Sequence, residues 1–316
     1  MKADLSWLEN PEIFQVNRLE PYSDHKYYLS IENALKSEEM ELKQSLNGRW
    51  YFSFAKNPSE RIVDFYKLDY DCHHFDMIDV PGHIQMQGYD HMQYINTLYP
   101  WDGHERLRPP HISLTDNPVG SYVRYFEVNE NLINQQTYLR FDGVETAFYV
   151  WLNGEFVGYS EDSFTPSTFD ITNYLIAGKN KLAVEVYKRS SASWLEDQDF
   201  WRFSGIFRDV SLYGIPQVHV QDMFIKSELF NQYQEANIYV DLKMKDVQPF
   251  YCTVSLYDAN MKPLYKIQKC NHSCFDMSLK DIHLWSCENP YLYLLLIEVY
   301  DENKQLQEVI PQKIGL

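Results

Sequence analysis

Two consecutive β-sandwiches are the architecture this sequence predicts. Three observations predict it: alternating apolar runs on both sides of residue 216, an Asn-Gly hairpin in the first half, and a proline that interrupts the pattern between the halves. At 316 residues the chain exceeds one ordinary sandwich, and roughly 150 residues per domain gives two, each able to bury its own core.

Residues 1–47 mix Asn, Pro, Glu and Ser with little periodicity. They are expected to form an N-terminal arm over the first domain, with a short helix near 30–44 for which Ser30 is a suitable N-cap. From Gly48 the period becomes two, with Trp50, Phe52 and Phe54 on one side of a strand, and similar strands follow over 122–128, 137–141 and 181–188. The clearest local signal is 148–159, where two aromatic and β-branched runs flank Asn153-Gly154, a dipeptide suited to the positive φ angles of a type I′ turn. One more strand is expected over 205–213. Ile215-Pro216 then breaks the pattern, because proline removes a ladder donor. The first sandwich is therefore placed at 48–216 and the second at 217–316.

In the second part Ile238, Val240, Leu242 and Met244 alternate with polar partners, and further strands are expected over 253–257, 263–269 and 291–300. About a hundred residues of short antiparallel strands separated by turn signals fit an immunoglobulin-like sandwich, here without a defensible Cys to Cys bridge.

Composition excludes several function classes. A net charge of −17 opposes the phosphate neutralisation on which nucleic-acid binding depends, so neither nucleic acid nor an anionic membrane is expected as a partner. The first residues lack the apolar run of a signal peptide, and the longest apolar stretch, 292–297, is far too short to span a bilayer. Five cysteines, an odd number without dense spacing, agree with a reducing, cytoplasmic setting. Cys270, His272 and Cys274 invite a metal reading, but a structural zinc site needs about four ligands and no second pair lies nearby. A loop between strands is the simpler reading. Aromatic residues, 16% of the chain, suit sugar stacking, although strands favour them for packing alone.

The most informative run is Leu195-Glu196-Asp197-Gln198-Asp199-Phe200-Trp201-Arg202, followed by Ser204-Gly205-Ile206-Phe207-Arg208-Asp209-Val210. It resembles the signature of bacterial β-galactosidases of glycoside hydrolase family two. Gly88-Tyr89-Asp90, with Tyr94, Asn96 and Tyr99-Pro100 after it, resembles that family's galactose-side loop, and Ser45-Leu46-Asn47-Gly48 resembles its first strand. Phe141-Asp142-Gly143-Val144, Asn153-Gly154 with Gly158, and Phe169-Asp170-Ile171 are similar to the whole family, β-glucuronidases and β-mannosidases included. Leu284-Trp285-Ser286 and Glu288-Asn289-Pro290-Tyr291-Leu292 carry a weaker likeness in the second part. The sequence departs from the commoner pattern at Gly82-His83-Ile84, where many members have tryptophan third.

The resemblance implies a jelly-roll-like sugar-binding β-sandwich followed by the immunoglobulin-like one, both non-catalytic. The family's (β/α)₈ barrel, which carries the two catalytic carboxylates, would begin about where this sequence ends. Retaining glycosidases need those groups roughly 5 Å apart, and none of the 45 acidic residues here matches either context. The chain on its own is therefore expected to be inactive and to supply one wall of a galactose site. Two residues carry over: Asn96, whose amide would bond galactosyl hydroxyls, and Asp199, which would contact the sugar and help hold a sodium ion. From residue type alone Asn96 reads as a turn residue and Asp199 as a loop acid; the surrounding motif favours the sugar reading.

Asp197, Arg202, Arg208 and Asp209 read as structural, since paired charges beside a strand fix loops. The resemblance implies sodium and magnesium for a full-length enzyme, with no cofactor in this chain alone. Expected partners are a galactoside, the catalytic barrel of the same enzyme, and further copies in a homo-oligomer. The rival readings are a stand-alone carbohydrate-binding module, which needs a complete site within 48–214, and a purely structural sandwich pair.

Overall fold

The computed structural model describes residues 2–196, 199–246 and 248–316. Two compact units divide the chain: Met1–Pro21 with Lys43–Gly214, and Tyr22–Leu42 with Ile215–Leu316.

The first unit is built on a seven-stranded antiparallel sheet. Its order is Gln15–Val16, Glu155–Ser160, Ala147–Leu152, Lys179–Tyr187, Val119–Glu127, Gly48–Ala55 and Asp76–Val80. A four-stranded sheet of Ser167–Asp170, Gln136–Phe141, Val210–Ile215 and Lys43–Ser45 faces it. Alternation decides which side chains meet between the sheets. Trp50 and Phe52 from one sheet pack with Leu139, Phe141 and Leu212 from the other, and Phe54 lies against the same core. The hairpin turns at Asn153 and Gly154, with φ of 54° and 86°, as a type I′ turn requires. A bulge near Val157 then shifts its register.

The opposite face of the large sheet is also covered. Trp7 and Leu8 of the N-terminal segment and Phe65, Cys72 and Phe75 of the long connection pack on Tyr149, Trp151, Tyr159 and Tyr187. Every residue of Ala147–Leu152 is buried, as is all of Lys179–Tyr187 beyond its first residue.

The second unit pairs a three-stranded sheet, Val220–Phe230, Glu235–Met244 and Cys274–Lys280, with a four-stranded one. The latter runs Pro263–Cys270, Phe250–Tyr257, Tyr293–Asp301 and Leu306–Ile314. Cys270 and Cys274 end and begin strands on either side of a short turn.

Three expectations need correction. The arm is not one piece over the first domain: Tyr22–Leu42 lies with the second unit, where Tyr28 exchanges backbone hydrogen bonds with Val309. Its helix is only Ile31–Lys36; Ser30 caps it by accepting from the Asn33 N–H, and Ser37, at φ 54°, ends it in the left-handed region before residue 44 is reached. The single strand expected over 205–213 is two, because Gly205–Ile206 pairs with Val144–Glu145 whereas Val210–Ile215 joins the four-stranded sheet.

Candidate functional site

A two-stranded ribbon brings the expected sugar residues together. Gln93–Ile95 pairs antiparallel with Phe200–Arg202, Ile95 lying opposite Phe200. Asn96 follows Ile95 and Asp199 precedes Phe200, so the two residues flank the same end of the ribbon, and both are exposed. Asp199 adopts φ 49°, a left-handed conformation that Asp tolerates better than most residues. Its carboxylate accepts a 2.8 Å hydrogen bond from the Tyr94 hydroxyl, and the Tyr94 ring lies 5.3 Å from that of Trp201. The Tyr94 phenol is held above its ordinary value first by that bond. Asp197, read as structural, lies outside the described residues.

Three buried cations anchor the ribbon and the loop leading into it. Lys188 Nζ sits 2.5 Å from Asp90 Oδ2, with both side chains almost wholly buried. Burial pushes the Asp90 carboxyl up, but the Lys188 ammonium and hydrogen bonds from Gln85 and the His91 backbone outweigh it and leave the group below its ordinary value. Burial lowers Lys188 despite Asp90. Gln85 ties the segment before one strand of the site to the segment after the other, donating to Asp90 at 2.9 Å and accepting from the Ser204 N–H at 3.0 Å. Arg189 reaches Gln93, and its guanidinium lies 5.8 Å from the centre of the Trp101 ring. Arg202 donates to the carbonyls of Phe200 and Ile95, the two residues next to Asp199 and Asn96.

The approach to Asp199 is fixed from the other side. Glu196, closing the helical turn Ser193–Glu196, accepts from the Ser163 N–H at 2.9 Å and the Ser163 hydroxyl at 2.6 Å. Tyr99 donates to the Trp194 carbonyl, and Tyr99, Trp101 and Trp194 form one aromatic cluster. Beneath this turn burial raises the Glu161 carboxyl to about 7, against lowering hydrogen bonds from Tyr159, Ser190 and the Ala192 backbone.

The residues read as structural behave as anchors. Asp209 accepts from Asn47, and Arg208 donates to the Phe164 carbonyl. Ile84, where the tryptophan of the commoner pattern is missing, is buried in the main core. Sequence reasoning missed Lys188, Arg189 and Gln85. The one available signal was a Lys-Arg pair directly after the run 182–187, apolar but for Glu185, where buried charges require partners.

A lone carboxylate is a small part of a cation shell, which for hard ions comprises about six or more oxygens. Among the described residues no group of three or more His, Cys, Asp or Glu is placed to hold a metal. The ribbon is an open wall, and the cavities of about 550, 920 and 810 Å³ are lined by other residues. No helix among the described residues is long and apolar enough to cross a membrane.

Two β-sandwich units, the first carrying a polar two-stranded ribbon, define an all-β class of protein, and comparison with known families makes the class specific. The profile described as "Glycosyl hydrolases family 2, sugar binding domain" matches residues 43–216, and "Glycosyl hydrolases family 2" matches 218–316. The chain belongs to glycosyl hydrolase family 2. It is 56% identical over 317 residues to a β-galactosidase of Clostridium acetobutylicum, covering 99% of this chain and 35% of that protein. It is 43% identical to a β-galactosidase large subunit of Lactobacillus helveticus, covering 100% and 52%. The chain thus spans between about a third and a half of the length of these relatives. A solved structure of Bacteroides uniformis β-glucuronidase shares the fold, with a TM-score of 0.69 at 20% identity, over 87% of this chain and 32% of that one.

Proposed function

We propose that this chain is the N-terminal, non-catalytic part of a β-galactosidase and supplies one wall of its galactose site. The carrying observation is the ribbon: residues far apart in sequence, Asn96 and Asp199, flank the same end of a strand pair locked by buried cations. An amide that donates and accepts, beside a carboxylate that accepts, suits the hydroxyls of a sugar. Similarity to β-galactosidases over almost the whole chain supports galactose as that sugar. The two carboxylates of retaining hydrolysis, which must stand roughly 5 Å apart, would come from a further domain of the same enzyme.

In this reading Asp199 contributes one oxygen ligand to a sodium ion whose other ligands lie outside the described residues, and a magnesium ion belongs to the full-length enzyme. The first sandwich has jelly-roll wiring, and the enzyme works as a cytoplasmic homo-oligomer.

Kinetics of the chain joined to the remainder of a β-galactosidase test the reading. Asp199→Asn should lower kcat/KM about ten- to a hundredfold and weaken sodium dependence, since hydrogen bonds to charged groups contribute about 1.5–3 kcal/mol. The 316-residue chain by itself should not turn over a chromogenic β-galactoside. An unchanged kcat/KM with sodium dependence intact would reduce Asp199 to a loop acid.

A further inference from the structure

The outer face of the seven-stranded sheet holds a cavity of about 550 Å³ that shares no residue with the ribbon. Tyr149, Trp151 and Glu185 belong to the sheet, while Arg61 and Tyr66 reach the cavity from the long connection after Gly48–Ala55. Glu185 is only 4% exposed. The Tyr187 hydroxyl donates to its Oε1 at 2.5 Å, and Arg61 Nε stands 3.4 Å from the same oxygen. Both partners meet Oε1, which leaves Oε2 for a ligand. The Tyr149 hydroxyl donates to the Asp4 carbonyl, so its oxygen remains able to accept.

A charge pair here needs a reason. The run 182–187 is apolar apart from Glu185 and lies in a doubly covered strand, and a well-packed apolar pair at such a place is often as stable as an ion pair or more so. The cavity's chemistry narrows the ligand. A purely apolar molecule would dehydrate Arg61 and Glu185 without replacing their bonds with water. An anion would meet the field of a protein carrying −17. A cation would find the Glu185 carboxylate already paired with a guanidinium, and the cavity's other carboxylate, Glu155, solvent-exposed in a lining that also holds Lys2. A neutral polyol with an apolar face satisfies each condition: its hydroxyls donate to the carboxylate and accept from the guanidinium, and its C–H face meets the half-buried Tyr66 ring, which is itself stacked on the buried Trp151. The volume lies within the roughly 300–1,000 Å³ usual for small-molecule sites.

We propose that this cavity is a second saccharide site, holding one neutral pyranose between the Arg61–Glu185 pair and the aromatic side chains around it. It is independent of the ribbon and of any catalytic partner. Saturation-transfer NMR on the purified chain tests it, with methyl β-D-galactopyranoside and methyl β-D-glucopyranoside as probes and cyclohexanol and glucuronate as apolar and anionic controls.

At least one glycoside should bind saturably and both controls should fail. Val63 lines the cavity and is 58% exposed, so Val63→Trp obstructs the cavity without touching the core and should weaken binding by about tenfold or more. Glu185→Gln should also weaken it, with circular dichroism showing whether the fold persists; the Val63 variant decides the matter if it does not. Three results would overturn the proposal: no glycoside binding, controls that bind as tightly, or binding that survives Val63→Trp. Binding that survives Val63→Trp and vanishes in Asp199→Asn would place the sugar on the ribbon, so the two sites fail distinguishably.

Discussion

The two units use β-structure differently. In the second, Cys274–Lys280 alternates strictly between exposed and buried residues, and the outer strand Val220–Phe230 is mostly exposed. This is the one-sided burial usual for antiparallel sheets. In the first unit the central strands are covered on both faces, and the outer covering holds buried charges as well as aromatic rings. A one-sided sheet needs only an apolar half to hold together. A doubly covered sheet forces its polar residues into defined partnerships, and those partnerships anchor the ribbon and line the cavity.

The largest expected effect lies in the first unit. Lys188→Met leaves the Asp90 carboxylate buried without its cation and should cost about 3–5 kcal/mol in denaturant unfolding. The sign of the acid response follows from the depressed Asp90 value. The pair's stabilisation is present above the ordinary carboxylate pKa and is lost as pH falls below it, so the wild-type chain should weaken in acid more steeply than the variant. A loss under about 1 kcal/mol would mean that the pair is incidental to the loop.

Next comes the one-sided strand of the second unit, where neighbouring residues should differ sharply. Met277→Ala removes a buried side chain and should cost about 2–5 kcal/mol, whereas Asp276→Asn, one residue away on the exposed face, should stay within about 0.5 kcal/mol. Equal effects at the two positions would break the contrast between the units.

Glu161 gives an intermediate effect with a distinct pH signature. Its folded pKa, about 7, lies above the ordinary 4.5, so the folded chain holds a proton more tightly than the unfolded one. Stability should fall as pH rises between those values and then level off, by about 3 kcal/mol in all. Glu161→Gln should flatten that dependence and make the chain more stable above pH 7. Thermal unfolding across the interval checks both. The smallest effect is that of Asp199→Asn on folding, within about 0.5 kcal/mol, because the residue is exposed; a larger loss would mean that the ribbon depends on Asp199 for its own stability.

Sequence reasoning located the elements whose signals are local. Asn153-Gly154 specifies its own turn, Ser30 its own cap, and the alternation of Ile238, Val240 and Leu242 its own buried face. The strands it missed carry weaker signals. Val220–Phe230 is mostly exposed and its composition does not alternate cleanly, and Gln93–Ile95 and Phe200–Arg202 are three-residue strands that exist only because each finds the other.

By itself the sequence determined the all-β class, the hairpin, and the runs around Asn96 and Asp199, because each depends on neighbours within a few residues. Tertiary structure decided the rest. That Asn96 and Asp199 flank one end of the same ribbon, that Lys188 meets Asp90, that Tyr22–Leu42 lies with the second unit, and that Arg61 meets Glu185 in the lining of a cavity all depend on residues distant in the chain. Local periodicity states which face of a strand is apolar. It does not state which distant strand, or which buried charge, completes that face.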